Sequence, residues 1–236
     1  LFRSELNLDL ALVSDKPTCL AIVSLDEKGG ASYEFKIEGT ATFDFSSSWL
    51  PDPSRYRPQV LHIGTLVTVI EPACDVLYDW AMQVAEFAPI VFDPNVRSVV
   101  MNDREKYVAA VERWVALSSV VKVSDDDLAW LYPGESYSEI ARRWISSGVT
   151  LVVITRGAAG LIGITSEGAV EVPGVKVDVV DTVGAGDTVG AIVVEAMVEK
   201  GILALTGDTL KEVLHRAAGA AGITCSRAGA HPPYKR

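Results

Sequence analysis

Little in this sequence of 236 residues suits thiol, metal or membrane chemistry. It holds three cysteines, Cys19, Cys74 and Cys225, odd in number and far apart. With no C-x-x-C pair and no His-rich spacing, neither a disulfide framework nor a zinc site is suggested. A reducing cytoplasm is the simplest expectation. Histidine is as scarce: His62, His215 and His231 share no spacing and read as structural or surface residues. No apolar run approaches the roughly 20 residues of a membrane span. The longest, around residues 60–70, is broken by His62 and Gly64. No segment reads as a signal peptide. Positive charge is short too: 21 Lys and Arg against 31 Asp and Glu leave a net charge of −10. A broad nucleic-acid-binding face usually needs the opposite balance. A small anion is compatible with it, provided backbone N–H groups, a few cations or a metal hold it locally.

What is present is globular. Hydrophobic residues make up 49% of the chain and charged ones 22%, which excludes a disordered or fibrous protein. The length suits one large domain with a substantial core, or one domain plus a small appendage. Residues 20–25 and 32–37 read as the strands of a hairpin joined by a Gly-rich turn. Tyr33 and Phe35 share one face of it, which could cover a substrate or bury against a partner. Residues 46–58 read as a connection. Short apolar strands then alternate with longer helical segments: strands at 60–63, 90–93, 120–123 and 151–155, helices at 73–88, 104–117 and 137–147. That alternation predicts a parallel sheet covered by helices. A second hairpin follows at 161–165 and 169–172, and two helices, 184–200 and 209–225, complete the pattern. Trp114, Trp130 and Trp144 fall in apolar helical contexts and are expected in the core.

The most informative segment is Asp181-Thr182-Val183-Gly184-Ala185-Gly186-Asp187. It follows a strand-like stretch, 177–180, and opens an apolar helix. Small residues at 184–186 allow a tight turn and close approach of a ligand to the backbone. Their N–H groups would sit at a helix N-terminus, which favours negative charge. Asp187 follows directly, placed to take a proton from a hydroxyl beside the anion pocket. An anion hole with a neighbouring base is what phosphoryl transfer to an alcohol requires. A plain Gly-rich cap with Asp187 merely favourable in the first turn would be the better reading of a lone G-x-G, but seven residues in order between a strand and a helix are more specific.

The whole seven-residue segment resembles the C-terminal signature of the PfkB (ribokinase-like) carbohydrate kinases, and the resemblance extends over nearly all of the chain. Asp93-Pro94-Asn95-Val96-Arg97 resembles a strand-end segment of the fructokinase-like members. Lys122-Val123-Ser124-Asp125-Asp126-Asp127 stands where the family has N-x-x-E. Here Ser124 and Asp127 carry either the magnesium-supporting role or a plain helix cap. Thr155-Arg156-Gly157-Ala158-Ala159-Gly160 resembles the nucleotide-side loop, and an ordinary turn is its other reading. Arg97 stands either near an anion, just past a strand end, or on the surface. Arg227-Ala228-Gly229-Ala230 resembles the segment that closes over nucleotide and monovalent cation.

The resemblance implies an α/β fold: a ribokinase-like, mostly parallel central sheet flanked by helices, with a small β lid. Residues 1–17 would belong to the α/β domain, 18–45 to the lid, and 46–236 to the nucleotide-binding and catalytic domain. It implies ATP as phosphoryl donor, with Asp187 as base and backbone N–H groups of Gly184, Ala185 and Gly186 stabilising the transferred group. Arg97 and Asp187 would meet the sugar. Ser124, Thr155, Gly157, Gly160 and Gly186 would meet the nucleotide. Mg2+ would be supported by Asp127, and K+ by Asp181, Val183, Thr224, Arg227 and Gly229. Two departures bear on this: Pro233 stands where a serine potassium ligand is usual, and Ala218 where an adenine-side Asn is usual. The family's opening strand, substrate-binding Asp and Gly-Gly motif have no counterpart here, so the chain is expected to be part of a larger kinase. The expected partners are a sugar, most simply fructose, and ATP, with no nucleic acid and no membrane, and a homodimer formed through the lid. A 2-keto-3-deoxygluconate kinase and a non-catalytic binding module of the same family are the alternatives.

Overall fold

The computed structural model describes residues 7, 9–11, 13–25, 31–44 and 46–233. The opening residues 1–6, the hairpin turn 26–30 and the final 234–236 lie outside the described residues, as does the side chain of Tyr33. The expectations placed on them are therefore not addressed. Two sheets form the frame. A two-stranded antiparallel sheet joins β1 (Leu20–Leu25) to β2 (Ala31–Lys36), the expected hairpin. It leans on the main body through Phe35 and Ile37, while the Ala41 amide donates to the Pro17 carbonyl at 3.0 Å.

The main sheet runs in the order β3 (Leu61–Gly64), β4 (Ile90–Asp93), β5 (Val120–Ser124), β6 (Leu151–Thr155), β7 (Leu161–Thr165), β8 (Gly168–Val172). β3 to β6 are parallel, and β7 and β8 add as an antiparallel hairpin. The sheet is thus mixed and flanked by helices, as the α/β reading required. The runs Ile90-Val91-Phe92, Val120-Val121 and Leu151 to Ile154 are buried throughout because helices cover both faces.

Alternation along each strand assigns the two layers. Val121 and Val123 face one core with Leu77, Trp114, Leu128 and Ile140. Those side chains come from α2 (Ala73–Ala85), α3 (Arg104–Leu117), α4 (Asp125–Leu131) and α5 (Tyr137–Ser146). Trp114 stacks on Phe92 and donates its indole N–H to the Thr68 carbonyl at 2.9 Å. Trp114 and Trp144 are fully buried, and Trp130 packs half-buried at the edge of this core. Val91, Val120 and Val153 face the other core, against α6 (Ala185–Lys200) and α7 (Gly207–Cys225).

Several helices start at a side-chain cap. The Asp103 carboxylate accepts the Lys106 amide at the head of α3, and Ser136 and Glu139 form a full capping box at the head of α5. Three differences from the sequence expectations are structural. The connection 46–58 contains a short helix, Pro53–Tyr56, capped by Asp52. The triple-Asp segment, for which a helix cap is one of the two readings, opens a helix not among the expected ones, α4: Ser124 caps it, and its first turn welcomes the three carboxylates. The stretch 177–180 is not a strand. Its Val179 and Val180 are exposed, and the Val180 amide donates to the Cys225 carbonyl at the end of α7, not to a sheet edge. Valine-rich composition favoured a strand there, but among the described residues no strand lies alongside to complete a ladder.

Candidate functional site

The parallel strands carry their C-terminal ends to one edge of the sheet, where Gly64 lies beside Asp93 and Ser124 beside Thr155 in register. Ligands of α/β sheets bind outside such ends. The N-terminus of α6 arrives at the same edge. Gly184 is its N-cap with φ 80°, a left-handed backbone that a side chain disfavours. A Cβ at Gly184 would also come within 2.9 Å of the Ala230 methyl. The Thr188 amide closes the first helical bond onto the Gly184 carbonyl at 2.9 Å, and the Ala185 amide is drawn back to the Thr182 carbonyl at 3.2 Å. Among the described residues, no backbone acceptor meets the Gly184 and Gly186 amides. They are the donors left for an incoming anion. Asp187 stands exposed in the first turn beside them.

A cavity of about 560 Å³ opens against this turn. Thr155, Gly157, Gly160 and Gly186 all line it, so the nucleotide residues expected from the sequence are brought together, Ser124 excepted. Ala218, Val177 and Cys225 make its far wall apolar.

Asp181 ties two loops. Its Oδ1 accepts the Val183 amide at 3.0 Å and its Oδ2 the Gly229 amide at 2.9 Å. These amides hold its carboxyl below the ordinary carboxylate value. Asp181, Val183 and Gly229 thus meet in one place. The Thr224 carbonyl accepts the Arg227 amide, while its buried hydroxyl bonds Thr188 at 2.9 Å, linking α7 to α6. The Arg227 guanidinium turns to the His231 and Pro232 carbonyls.

Asp127 lies in the first turn of α4, just past β5, and Arg97 in the loop after β4. The Ser124 hydroxyl accepts the Asp127 amide at 3.0 Å, so the cap reading holds for that half. The Asp127 carboxylate accepts the Val96 amide at 3.1 Å, which fixes the loop after β4. Burial pushes the Asp127 carboxyl up. The Ser124 hydrogen bond opposes this, Asp93 adds to the rise, and Lys122 opposes it. A desolvated carboxylate of this kind favours a nearby cation. The Arg97 guanidinium donates to the Asn95 and Val96 carbonyls of its own loop, and its amide to the Tyr107 hydroxyl.

Sequence reasoning passed over two charges. Lys122 and Asp93 form an ion pair at 2.6 Å with both residues inside the sheet layer. The signal was available: a lysine inside Val120-Val121-Lys122-Val123 and an aspartate ending Ile90-Val91-Phe92-Asp93 are charges on otherwise apolar, fully covered strands.

Known proteins resemble this chain in sequence and fold. The profile of the pfkB family carbohydrate kinases matches residues 3–235. A fructokinase of Rhizobium leguminosarum bv. trifolii is 37% identical over 180 residues, covering 76% of this chain and 54% of the relative. Fructokinase-2 of Zea mays is 30% identical over 220 residues, covering 91% of this chain and 65% of the relative. The chain therefore spans between about half and two thirds of the length of these curated relatives. Among solved structures, a double mutant of Vibrio cholerae fructokinase in its fructose, ADP and potassium ion bound form superposes with a TM-score of 0.79 at 25% identity, covering 92% of this chain and 70% of that one. A Xylella fastidiosa fructokinase with bound ATP shares the fold with a TM-score of 0.84 at 21% identity, over 92% and 70% of the two chains. Chemistry at the strand ends, sheet order and family profile agree, and this chain belongs to the pfkB family of carbohydrate kinases.

Proposed function

We propose that this chain carries the nucleotide and phosphoryl-transfer half of an ATP-dependent sugar kinase whose acceptor is fructose. The observation that carries this reading is Asp187 in the first turn of α6, beside the free amides of its N-terminus and next in sequence to Gly186, which lines the Gly-rich cavity. In this reading the nucleotide lies in the cavity, its base against Ala218 and Val177, its phosphates toward Gly184 and Gly186. Thr155, Gly157 and Gly160 approach it closely, and Ser124 lies on the nucleotide side one strand over. Asp187 takes the proton of the sugar hydroxyl as that oxygen bonds to the γ-phosphorus and the bond to the β–γ bridging oxygen breaks. The Gly184 and Gly186 amides meet the charge carried by the transferred group, joined by Ala185 if its amide leaves Thr182. Arg97 would meet the sugar by releasing its loop carbonyls.

Asp127, a desolvated carboxylate in the first turn of α4, is the residue that would support a divalent cation; among the described residues no group of three or more His, Cys, Asp or Glu could hold one, so phosphate and water would supply most of its ligands. Mg2+ held there would neutralise charge between phosphate oxygens. The loop cluster of Asp181, Val183, Thr224, Arg227 and Gly229 is the place for K+, and its work in the chain is to hold the loop before α6 in position. The Rhizobium and maize relatives carry fructokinase names, and the Vibrio neighbour holds fructose, which favours fructose over 2-keto-3-deoxygluconate. A cytoplasmic setting and a homodimer through the β1–β2 hairpin belong to the same reading. No helix among the described residues is long and apolar enough to cross a membrane.

The test is sugar-dependent ADP release by the full-length protein with Mg-ATP and fructose, 2-keto-3-deoxygluconate, ribose or adenosine, beside Asp187→Asn. Turnover is expected on fructose, with kcat lower by about 10²- to 10⁴-fold in the variant. Equal rates in the two proteins would remove Asp187 as the base. Binding of ATP with no turnover on any acceptor would point to a binding module.

A further inference from the structure

Arg156 is a charge set deep in the molecule behind the cavity. Its side chain is 14% exposed, and its Nε is buried with no hydrogen-bond partner among the described residues. Its terminal nitrogens reach the Glu171 carboxylate at 3.1 Å and, at the longer distance of 3.5 Å, the Tyr137 hydroxyl. A guanidinium carries five donors and loses the water around them when it is covered. An unmatched Nε adds to that loss, and an unmatched buried polar group calls for a reason beyond stability.

The placement supplies one. Arg156 belongs to the turn 155–160 that joins β6 to β7. Thr155, Gly157, Ala158 and Gly160 of that turn line the cavity, and Arg156 does not. Glu171 stands opposite Ile162 in the β7–β8 ladder, and Ile162 faces the core that Ile140 of α5 completes. Leu161 and Val172 face the other core, with Ala218 of the cavity wall. Directly paired residues share a face. The guanidinium, held by Glu171 and by Tyr137 of α5, therefore lies on the sheet face away from the cavity. The turn in front of it is soft by composition, since Gly157 and Gly160 hold φ of 50° and 95°. It is also seated tightly on the chain that leaves β8. A Cβ at Gly160 would meet the Val172 carbonyl oxygen at 2.1 Å, and one at Gly174 the Ala158 carbonyl oxygen at 2.5 Å. Two walls of the cavity thus touch backbone to backbone, and the Arg156–Glu171 pair bridges the same two stretches from behind.

We propose that Arg156 is a positioning residue for nucleotide binding: clasping Glu171 and Tyr137 behind the sheet, it fixes the turn 155–160 in the shape that receives the nucleotide. The inference rests on the sugar-kinase reading for the identity of the ligand, and on geometry for the clasp. Arg156 touches neither base nor phosphate. It acts on what binding costs. A turn with two left-handed glycines samples many shapes once released, and ordering it again subtracts from the binding free energy. Asp187 stands on α6, outside the clasped stretches, so the chemical step is left as it is. The signature is weaker nucleotide binding with an unchanged rate at saturation.

The test uses the full-length protein with Arg156→Gln and Arg156→Lys, well below the melting temperature of each. Two sets of quantities are read: ADP affinity measured calorimetrically without sugar, and the kcat, ATP KM and sugar KM of sugar-dependent ADP release. Arg156→Gln is expected to bind ADP about tenfold more weakly and to raise the ATP KM to match, with kcat and sugar KM unchanged. Arg156→Lys keeps the charge and loses the planar fork, so it should regain only a small part of the affinity. ADP affinity equal to the wild type in Arg156→Gln would overturn the proposal. Full affinity in Arg156→Lys would overturn it too, because charge and not the clasp would then be what matters. If the wild type binds ADP and phosphorylates no sugar, the kinase reading fails by itself and the ADP comparison still decides for or against Arg156. A wild type that binds no ADP removes both. Should Arg156→Gln not fold, Glu171→Gln at the exposed end of the clasp carries the same readouts, with an expected loss of about twofold because solvent screens that end.

Discussion

The charged side chains at the strand ends do not act singly. His62 sits on β3 with its Nε2 facing Gly190 of α6, and it shares its surroundings with Asp93, Lys122 and Asp187. Burial lowers its pKa. The carboxylates of Asp93 and Asp187 oppose this, and the Lys122 ammonium assists it. The folded protein therefore holds fewer protons at His62 than the unfolded chain does. Stability is complete above the ordinary histidine value of about 6.5 and declines as pH falls through it. His62 is on an open edge strand, so solvent screens part of the effect. In urea unfolding at pH 7.5 and 5.5, the wild-type midpoint should fall more on acidification than that of His62→Gln. Parallel behaviour of the two proteins would remove His62 from the balance. None of this was legible from residue 62 alone. A lone histidine gives no spacing to read, and its neighbours come from three other elements.

At the scale of elements, the sequence announced most of the frame, and the reason is periodicity. β4, β6 and α3 begin and end where apolar runs and caps place them. α3 illustrates the energetics. Its N-cap carboxylate, Asp103, fixes the turn that delivers Tyr107, Val111 and Trp114 to the core. Asp103→Ala should cost about 1 kcal/mol of stability, with Asp103→Asn nearly neutral, as measured by denaturant midpoints at constant slope. The element misassigned and the element only half seen share one cause. The segment 177–180 has strand-forming residues and no partner strand, while α4 has polar residues and a strong cap. Pairing and capping decided both, and composition did not. Glycine in α6 was legible only as a loop feature. That Gly186 makes room for an ammonium from β5 depends on how far β5 lies from the helix, a distance no local pattern encodes.

For the whole molecule, the two cores on opposite faces of one sheet explain why the site gathers at one edge. One core positions β4 and β5 through α3 to α5, the other positions α6 and α7, and their strand-end residues meet above the sheet. The Gly-Ala-Gly-Asp turn was legible because a short motif carries its own geometry. The Asp181 arrangement was legible only by resemblance, since its two amide partners stand 2 and 48 residues away. That arrangement has a consequence in time. One carboxylate holds the loop before α6 and the segment after α7, so neither is free to open while the other stays closed. Their amides, Val183 and Gly229, should exchange with deuterium as a pair, at one shared opening rate. Asp181→Ala should accelerate both together, whereas Asp181→Asn, with a single carbonyl to offer, should release only one. Exchange at unrelated rates in the wild type would mean that the two loops keep separate clocks.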